Sequence, residues 1–206
     1  LPKDRFFLYR SRWSDQPVLH LVPHWSWPGR EGEITPVQVY TNHEAVELFV
    51  NGRSLGVRRK HPLSLRERYR LIWAGVRYEP GEIKAVGYDA GGHPVAEVAR
   101  RTAGPAAALV ATCDRERMLS DGEDMAFVSV CVVDAAGEVC PRADHAITFR
   151  VMGPAEIAAV DNGDPTSLES FQRDVCRAFN GWCVLYLRAE AGDGAPIQVT
   201  ASAAGL

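Results

Sequence analysis

Short apolar segments of period two, cut every few residues by glycine-bearing turn pairs, constrain this chain more than any other feature. Val46, Leu48 and Val50 share one face of a strand, with Glu47 and Phe49 on the other. Asn51-Gly52 follows at once. A type I′ turn needs positive φ at both central residues, so this pair predicts a hairpin that returns through residues 53–59. Residues 36–41 alternate in the same way, and Tyr69, Leu71 and Trp73 fall on one face. Pro80-Gly81 marks a turn before residues 82–88, and Gly91-Gly92 another before residues 95–101. With residues 18–25, that makes about seven short strands at the spacing of a β-sandwich.

Thr102-Ala103-Gly104-Pro105-Ala106 reads as a small-residue connector. Beyond it a second β region is expected, with strands at residues 107–112, 126–133, 146–151, 157–160, 182–189 and 197–203. Val128, Val130 and Val132 alternate with Phe127, Ser129 and Cys131, so both faces of that strand are largely apolar, as in a central strand between packed layers. Asp121-Gly122, Ala136-Gly137 and Gly192-Asp193-Gly194 supply the turns.

The chain opens differently. Phe6, Tyr9 and Trp13 stand at i, i+3 and i+7, which predicts a short amphipathic helix with Pro2 and Asp4 as start signals. An isolated helix of about eleven residues is marginal in water, so its aromatic side chains must pack on a partner. Pro2-Lys3-Asp4-Arg5-Phe6-Phe7-Leu8-Tyr9 and Leu21-Val22-Pro23-His24-Trp25-Ser26-Trp27-Pro28 resemble the junction in β-galactosidase-type enzymes of glycoside hydrolase family 2. The likeness continues through Glu47-Leu48-Phe49-Val50-Asn51-Gly52 and Asp161-Asn162-Gly163-Asp164-Pro165-Thr166-Ser167. It implies residues 1–16 as the last helix of a catalytic (β/α)8 barrel, residues 17–102 as a first β-sandwich, and residues 103–206 as a C-terminal bacterial immunoglobulin-like sandwich. It further implies a bacterial periplasmic or secreted parent, with both catalytic glutamates upstream of Leu1. No catalytic residue is therefore carried onto this chain.

Charge and cysteine usage narrow the function classes. A net charge of −3 with scattered Arg and Lys does not make the basic stripe of a nucleic-acid protein. The local run Arg58-Arg59-Lys60, with Arg66 and Arg68 after it, reads as a solvated loop. No stretch approaches the ~20 apolar residues of a membrane span. Cys113, Cys131, Cys140, Cys176 and Cys183 show no CxxC or zinc-ligand spacing, and read as buried thiols with one disulfide left open, since spacing does not fix pairing.

Few residues propose chemistry. Trp25 and Trp27 are the sugar-contact candidates, because aromatic faces suit the C–H faces of pyranose rings. They also continue the apolar side of Leu19, Leu21 and Pro23, which equally suits packing against a neighbour. His20 and His24, four residues apart on a strand, stand ~13 Å apart and cannot share one Zn²⁺. The loop of residues 161–167 is oxygen-rich but lacks EF-hand spacing, and its Asp, Asn, Thr and Ser side chains can cap their own backbone. Asp161, Asp164 and Glu169 form the densest acidic cluster. No Gly-x-Ser-x-Gly elbow exists, and nothing in the residues asks for a metal or cofactor. The expectation is a mainly β chain of two immunoglobulin-like sandwiches behind a helix left over from a barrel. Its role is the non-catalytic C-terminal region of a family 2 glycosidase, meeting carbohydrate through the parent enzyme and offering surface for a homo-oligomer. The alternative is a free-standing carbohydrate-binding or adhesive β-sandwich module.

Overall fold

The computed structural model describes residues 2–192 and 194–206. Leu1 and Asp193, the latter in the expected Gly192-Asp193-Gly194 turn, lie outside them. The chain is mainly β, with one helix among the described residues and four antiparallel sheets. It divides into two compact units, Leu1–Thr102 and Ala103–Leu206.

Unit 1 begins with helix α1 (Asp4–Trp13) and strand β1 (Leu19–Val22), then β2 (Val37–Thr41), β3 (Ala45–Val50), β4 (Arg53–Arg59), β5 (Leu71–Trp73), β6 (Glu82–Tyr88) and β7 (Pro94–Arg101). One sheet runs β1-β2-β5 and the other β4-β3-β6-β7. Alternation aims Leu21, Val37, Val39, Leu71 and Trp73 from the first sheet, and Val46, Leu48, Val50, Ile83 and Ala85 from the second, into one shared core. Asn51 and Gly52 take φ of 49° and 77°, the positive values that their two-residue hairpin requires. Asn51 does a second job. Its side chain accepts from the Glu82 N–H and donates to the Pro80 carbonyl, fastening the β3–β4 turn to the start of β6.

Helix α1 packs on β1 and β2, but not by the expected side. Phe6, Tyr9 and Trp13 share a face as the spacing requires, and that face is outward, at 48%, 51% and 81% exposure. The inner side is carried by Phe7, stacked on His20 at 3.9 Å, and by buried Ser11, whose hydroxyl donates to the Leu8 carbonyl at 2.7 Å. A periodic pattern identifies a face but not which of two surfaces it meets.

Unit 2 holds β8 (Ala106–Cys113), β9 (Met125–Asp134), β10 (Ala146–Met152), β11 (Ala155–Asp161), β12 (Val175–Arg177), β13 (Trp182–Ala189) and β14 (Gln198–Ala203). The sheets run β11-β13-β9-β8 and β12-β10-β14. Strand β9 lies inside its sheet, with Val128, Val130 and Val132 in the core beside Ile147, Phe149 and Leu185. The opposite side of β9 is less covered than expected, since Phe127 is partly open and meets Tyr186 edge-on at 5.2 Å. Strand β12 is too short to register as a strand in the sequence. It pairs with the start of β10, within the stretch that joins β11 to β13.

Buried Asp134 fixes the entry to this unit. Its carboxylate accepts the N–H groups of Gly104 (2.7 Å), Ala136 (2.8 Å) and Glu138 (2.9 Å). These bonds, Gly104's foremost, hold its pKa below the usual carboxylate value. At the same end of the unit, beside Val132, Gly181 has φ of 79°, and a Cβ there would run into the Cys140 carbonyl oxygen. Gly181→Ala therefore adds left-handed strain to a backbone clash and should cost at least about 2 kcal/mol in urea unfolding followed by circular dichroism. A loss below about 0.5 kcal/mol would contradict the packing described for this turn.

Candidate functional site

Three places gather chemistry-bearing side chains. The first is the underside of α1. Asp4 accepts from His20 Nε2 at 2.8 Å, while the His20 ring lies between Phe7 and Tyr40, at 3.9 Å and 6.2 Å between centroids. Burial pushes the His20 pKa down, and the bond to Asp4 opposes it only in part. His43 is also lowered by burial and then by Lys60. The Asp4–His20 pair joins a helix start to a strand sixteen residues on, and no spacing rule would have found it.

The second place holds Trp25 and Trp27. Trp25 is 1% exposed, packs edge-on against Tyr78 at 5.1 Å, and donates Nε1–H to the Glu79 carbonyl at 2.9 Å. A sugar platform needs an open indole face, so Trp25 is a core residue and not a sugar contact. The strand alternation that linked the two tryptophans stops at Val22, where β1 ends. Trp27 is half-buried, stacked on His24 at 4.1 Å with the Arg30 guanidinium 5.1 Å from its ring, and its Nε1–H donates to the His24 carbonyl. Of the two candidates, Trp27 is the less buried, and it still packs against the core of unit 1.

The third place is the loop of residues 161–167 with Glu169. Asp161 accepts from the Gly163 N–H, Asn162 from the Asp164 N–H, and Asp164 from both the N–H and hydroxyl of Thr166. Asn162 also donates to the Arg177 carbonyl at 2.9 Å, tying the loop to the end of β12. The Asp161 and Asp164 carboxylates cap their own turn. Among the described residues no three His, Cys, Asp or Glu side chains converge as a metal site requires. Beyond the turn, Leu168 and Phe171 point outward.

Unit 2 also carries a cavity of about 630 Å³, lined among others by Met118, Leu119, Leu187, Ile197 and Val199. Its size suits a small molecule. The guanidinium at its edge, Arg115, is already paired with Asp114 and Asp124, at 3.4 Å and 3.1 Å. The pocket thus offers shape without a free charge from that arginine.

Comparison with known proteins bears on what such a pair of β units belongs to. Residues 109–206 match the glycoside hydrolase family 2 C-terminal domain 5, and residues 32–96 match a domain of unknown function (DUF4982). The chain is 42% identical to the beta-galactosidase BoGH2A of Bacteroides ovatus, over all of this chain and 23% of that protein. It is 31% identical to a beta-glucuronidase of Formosa agariphila, over 87% of this chain and 18% of that protein. The crystal structure of a beta-glycosidase from Bacteroides vulgatus superposes with a TM-score of 0.90 at 35% identity, covering 99% of this chain and 25% of that one. The chain thus spans less than a quarter of the length of these curated relatives. It belongs to the C-terminal region of glycoside hydrolase family 2.

Two measurements follow from this geometry. Trp25→Ala should cost unit 1 about 3–5 kcal/mol, and Trp27→Ala less than half of that. Equal costs in urea unfolding would erase the distinction between a core and a half-open indole. The histidines set a pH dependence. Both folded pKa values lie below the unfolded value of 6.5, so the unfolded chain binds more protons as pH falls. The contribution of these groups is complete above about pH 6.5 and is lost as pH drops through the folded values. Thermal melts should show unit 1 weakening between about pH 7 and pH 5, with a shallower slope in His20→Asn and in His43→Asn. A slope unchanged in both variants would assign the effect elsewhere.

Proposed function

We propose that this chain is the non-catalytic C-terminal region of a family 2 glycosidase of β-galactosidase type, which hydrolyses glycosidic bonds in carbohydrates. In this reading residues 1–16 are the last helix of a (β/α)8 barrel. Residues 17–102 and 103–206 are immunoglobulin-like sandwiches that brace the barrel, shape access to its site or carry oligomer contacts.

The observation that carries the reading is the outer face of α1. Phe6, Tyr9 and Trp13 stand in water there, with Tyr9 and Trp13 stacked on each other at 4.9 Å. Covering large aromatic side chains is worth a few kcal/mol each, and a domain on the outer side of the helix supplies that cover. A free-standing module has no use for such a face. The identity to BoGH2A across the whole chain favours a β-galactosidase parent.

The carboxylates support the absence of chemistry. A retaining glycosidase holds two carboxyl groups ~5–5.5 Å apart, one kept protonated and one ionised by its surroundings. Asp161 and Asp164 instead serve as turn caps. Glu47 accepts from Tyr88 at 2.8 Å and from Ser54, and Glu82 is paired with Arg101 at 2.7 Å. The purified chain should release only background chromophore from a β-galactoside over a broad pH range. Turnover above background that vanishes in Asp161→Asn, Asp164→Asn or Glu169→Gln would overturn the proposal.

A further inference from the structure

The buried thiols of unit 2 are not equivalent, and their placement singles out two of them. Cys183 pairs across β13–β9 with Val130, a core residue, so its side chain enters the core. Cys131 pairs with Trp182 and lies on the opposite side of the same sheet. Cys140 is in the core, but its Sγ meets the carbonyls of Gly104 and Glu138, at 3.6 Å and 3.9 Å. Cys113 is exposed at the far end of β8. Cys176 enters the core from the other sheet, paired with Ile147 across β12–β10.

Facing sheets normally stand ~10 Å apart, too far for a disulfide, whose Cα atoms lie within ~7 Å. At this end of unit 2 the separation is set by a hairpin instead. Phe179 and Trp182 exchange backbone hydrogen bonds of 2.9 Å and 3.0 Å around Asn180 and Gly181, both at positive φ. Ala178 then leaves for the second sheet by donating to the His145 carbonyl at 2.8 Å. Cys176 and Cys183 flank the point where the sheets separate, and both side chains enter the same core there, close enough for each thiol to shift the other's pKa.

We propose that Cys176 and Cys183 are a disulfide site, a staple between the two sheets of unit 2 that forms in an oxidising compartment. The oxidant is of the disulfide class, such as oxidised glutathione. Cys183 donates its S–H to Cys176, which pulls the Cys176 pKa down and pushes that of Cys183 up, so Cys176 is the attacking thiolate. Its sulfur bonds to one sulfur of the oxidant, whose S–S bond breaks and whose other half leaves as a thiol. Cys183 then loses its proton and attacks the Cys176 sulfur, expelling the second thiol. One disulfide is consumed and one formed, with two protons passed to the leaving thiols. Both sulfurs are buried, so the exchange takes place as the unit folds or opens locally.

The test uses trypsin's own cut sites. Cleavage after Arg173, Arg177 and Arg188 places Cys176 in peptide 174–177 and Cys183 in peptide 178–188, while Cys131 and Cys140 share peptide 118–142. The chain is refolded from urea in glutathione buffers of stepped redox ratio, blocked with N-ethylmaleimide under denaturing conditions, digested and examined by mass spectrometry. A cross-linked 174–177/178–188 pair, separated by dithiothreitol, is expected to dominate in the oxidising buffers. The oxidised chain should melt about 5 °C or more above the reduced one. Cys176→Ala should melt at one temperature in all buffers. Maleimide on both Cys176 and Cys183 at the oxidising end, or a link from either to peptide 118–142, would overturn the proposal.

Discussion

Burying an indole strips its N–H of water, and unit 1 is arranged so that Trp25 recovers a partner. The Glu79 carbonyl takes that proton, and the Thr102 hydroxyl donates to the Trp25 carbonyl at 2.7 Å. Thr102 also accepts from the Gly81 N–H and meets the Tyr78 hydroxyl at 3.2 Å. One residue at the end of the unit thus satisfies three groups around the same buried ring. An unpaired polar group at this depth costs about 1–3 kcal/mol, so losing Thr102 strands several partners together. The Pro80-Gly81 turn, the last residue of the unit and the segment after β1 depend on that cluster.

Unit 2 solves the same problem with a charge. Asp134 gathers three N–H groups from the connector and from its own turn, which lets a carboxylate sit buried. Neither hub could be read from the sequence, because the first reaches across 77 residues and the second across 30. Local turn chemistry could be read. Asn51-Gly52, Gly92, Gly122 and Gly137 take the positive φ that their dipeptides advertise. Alternating strands such as β3 and β6 were equally plain, since each has one face in the core. Strand β12, three residues long with one inward side chain, falls below what periodicity can detect.

The tryptophans mark where pattern stops and packing begins. Counting alternation through residues 19–27 puts Trp25 and Trp27 on one surface, yet β1 ends at Val22 and the two rings have different environments. The helix carries the converse lesson. Its aromatic spacing is regular, but only the fold reveals that Phe7 and Ser11 supply the contact with β1 and β2. The aromatic face left over is what makes a C-terminal brace a better reading than an independent module.

Strand β4 sets a different kind of boundary. It is an edge of its sheet, and its unpaired backbone is a template on which another strand could grow. Arg53, Arg58 and Arg59 crowd it, and the register with β3 slips between Glu47 and Phe49, where Gly56 has φ of 89°. A kinked, cationic rim docks poorly with an identical rim on another molecule, since like charges meet and the hydrogen-bond ladders fall out of phase. This edge is thereby poorly able to propagate, and copies of this chain can crowd together without their sheets joining along it.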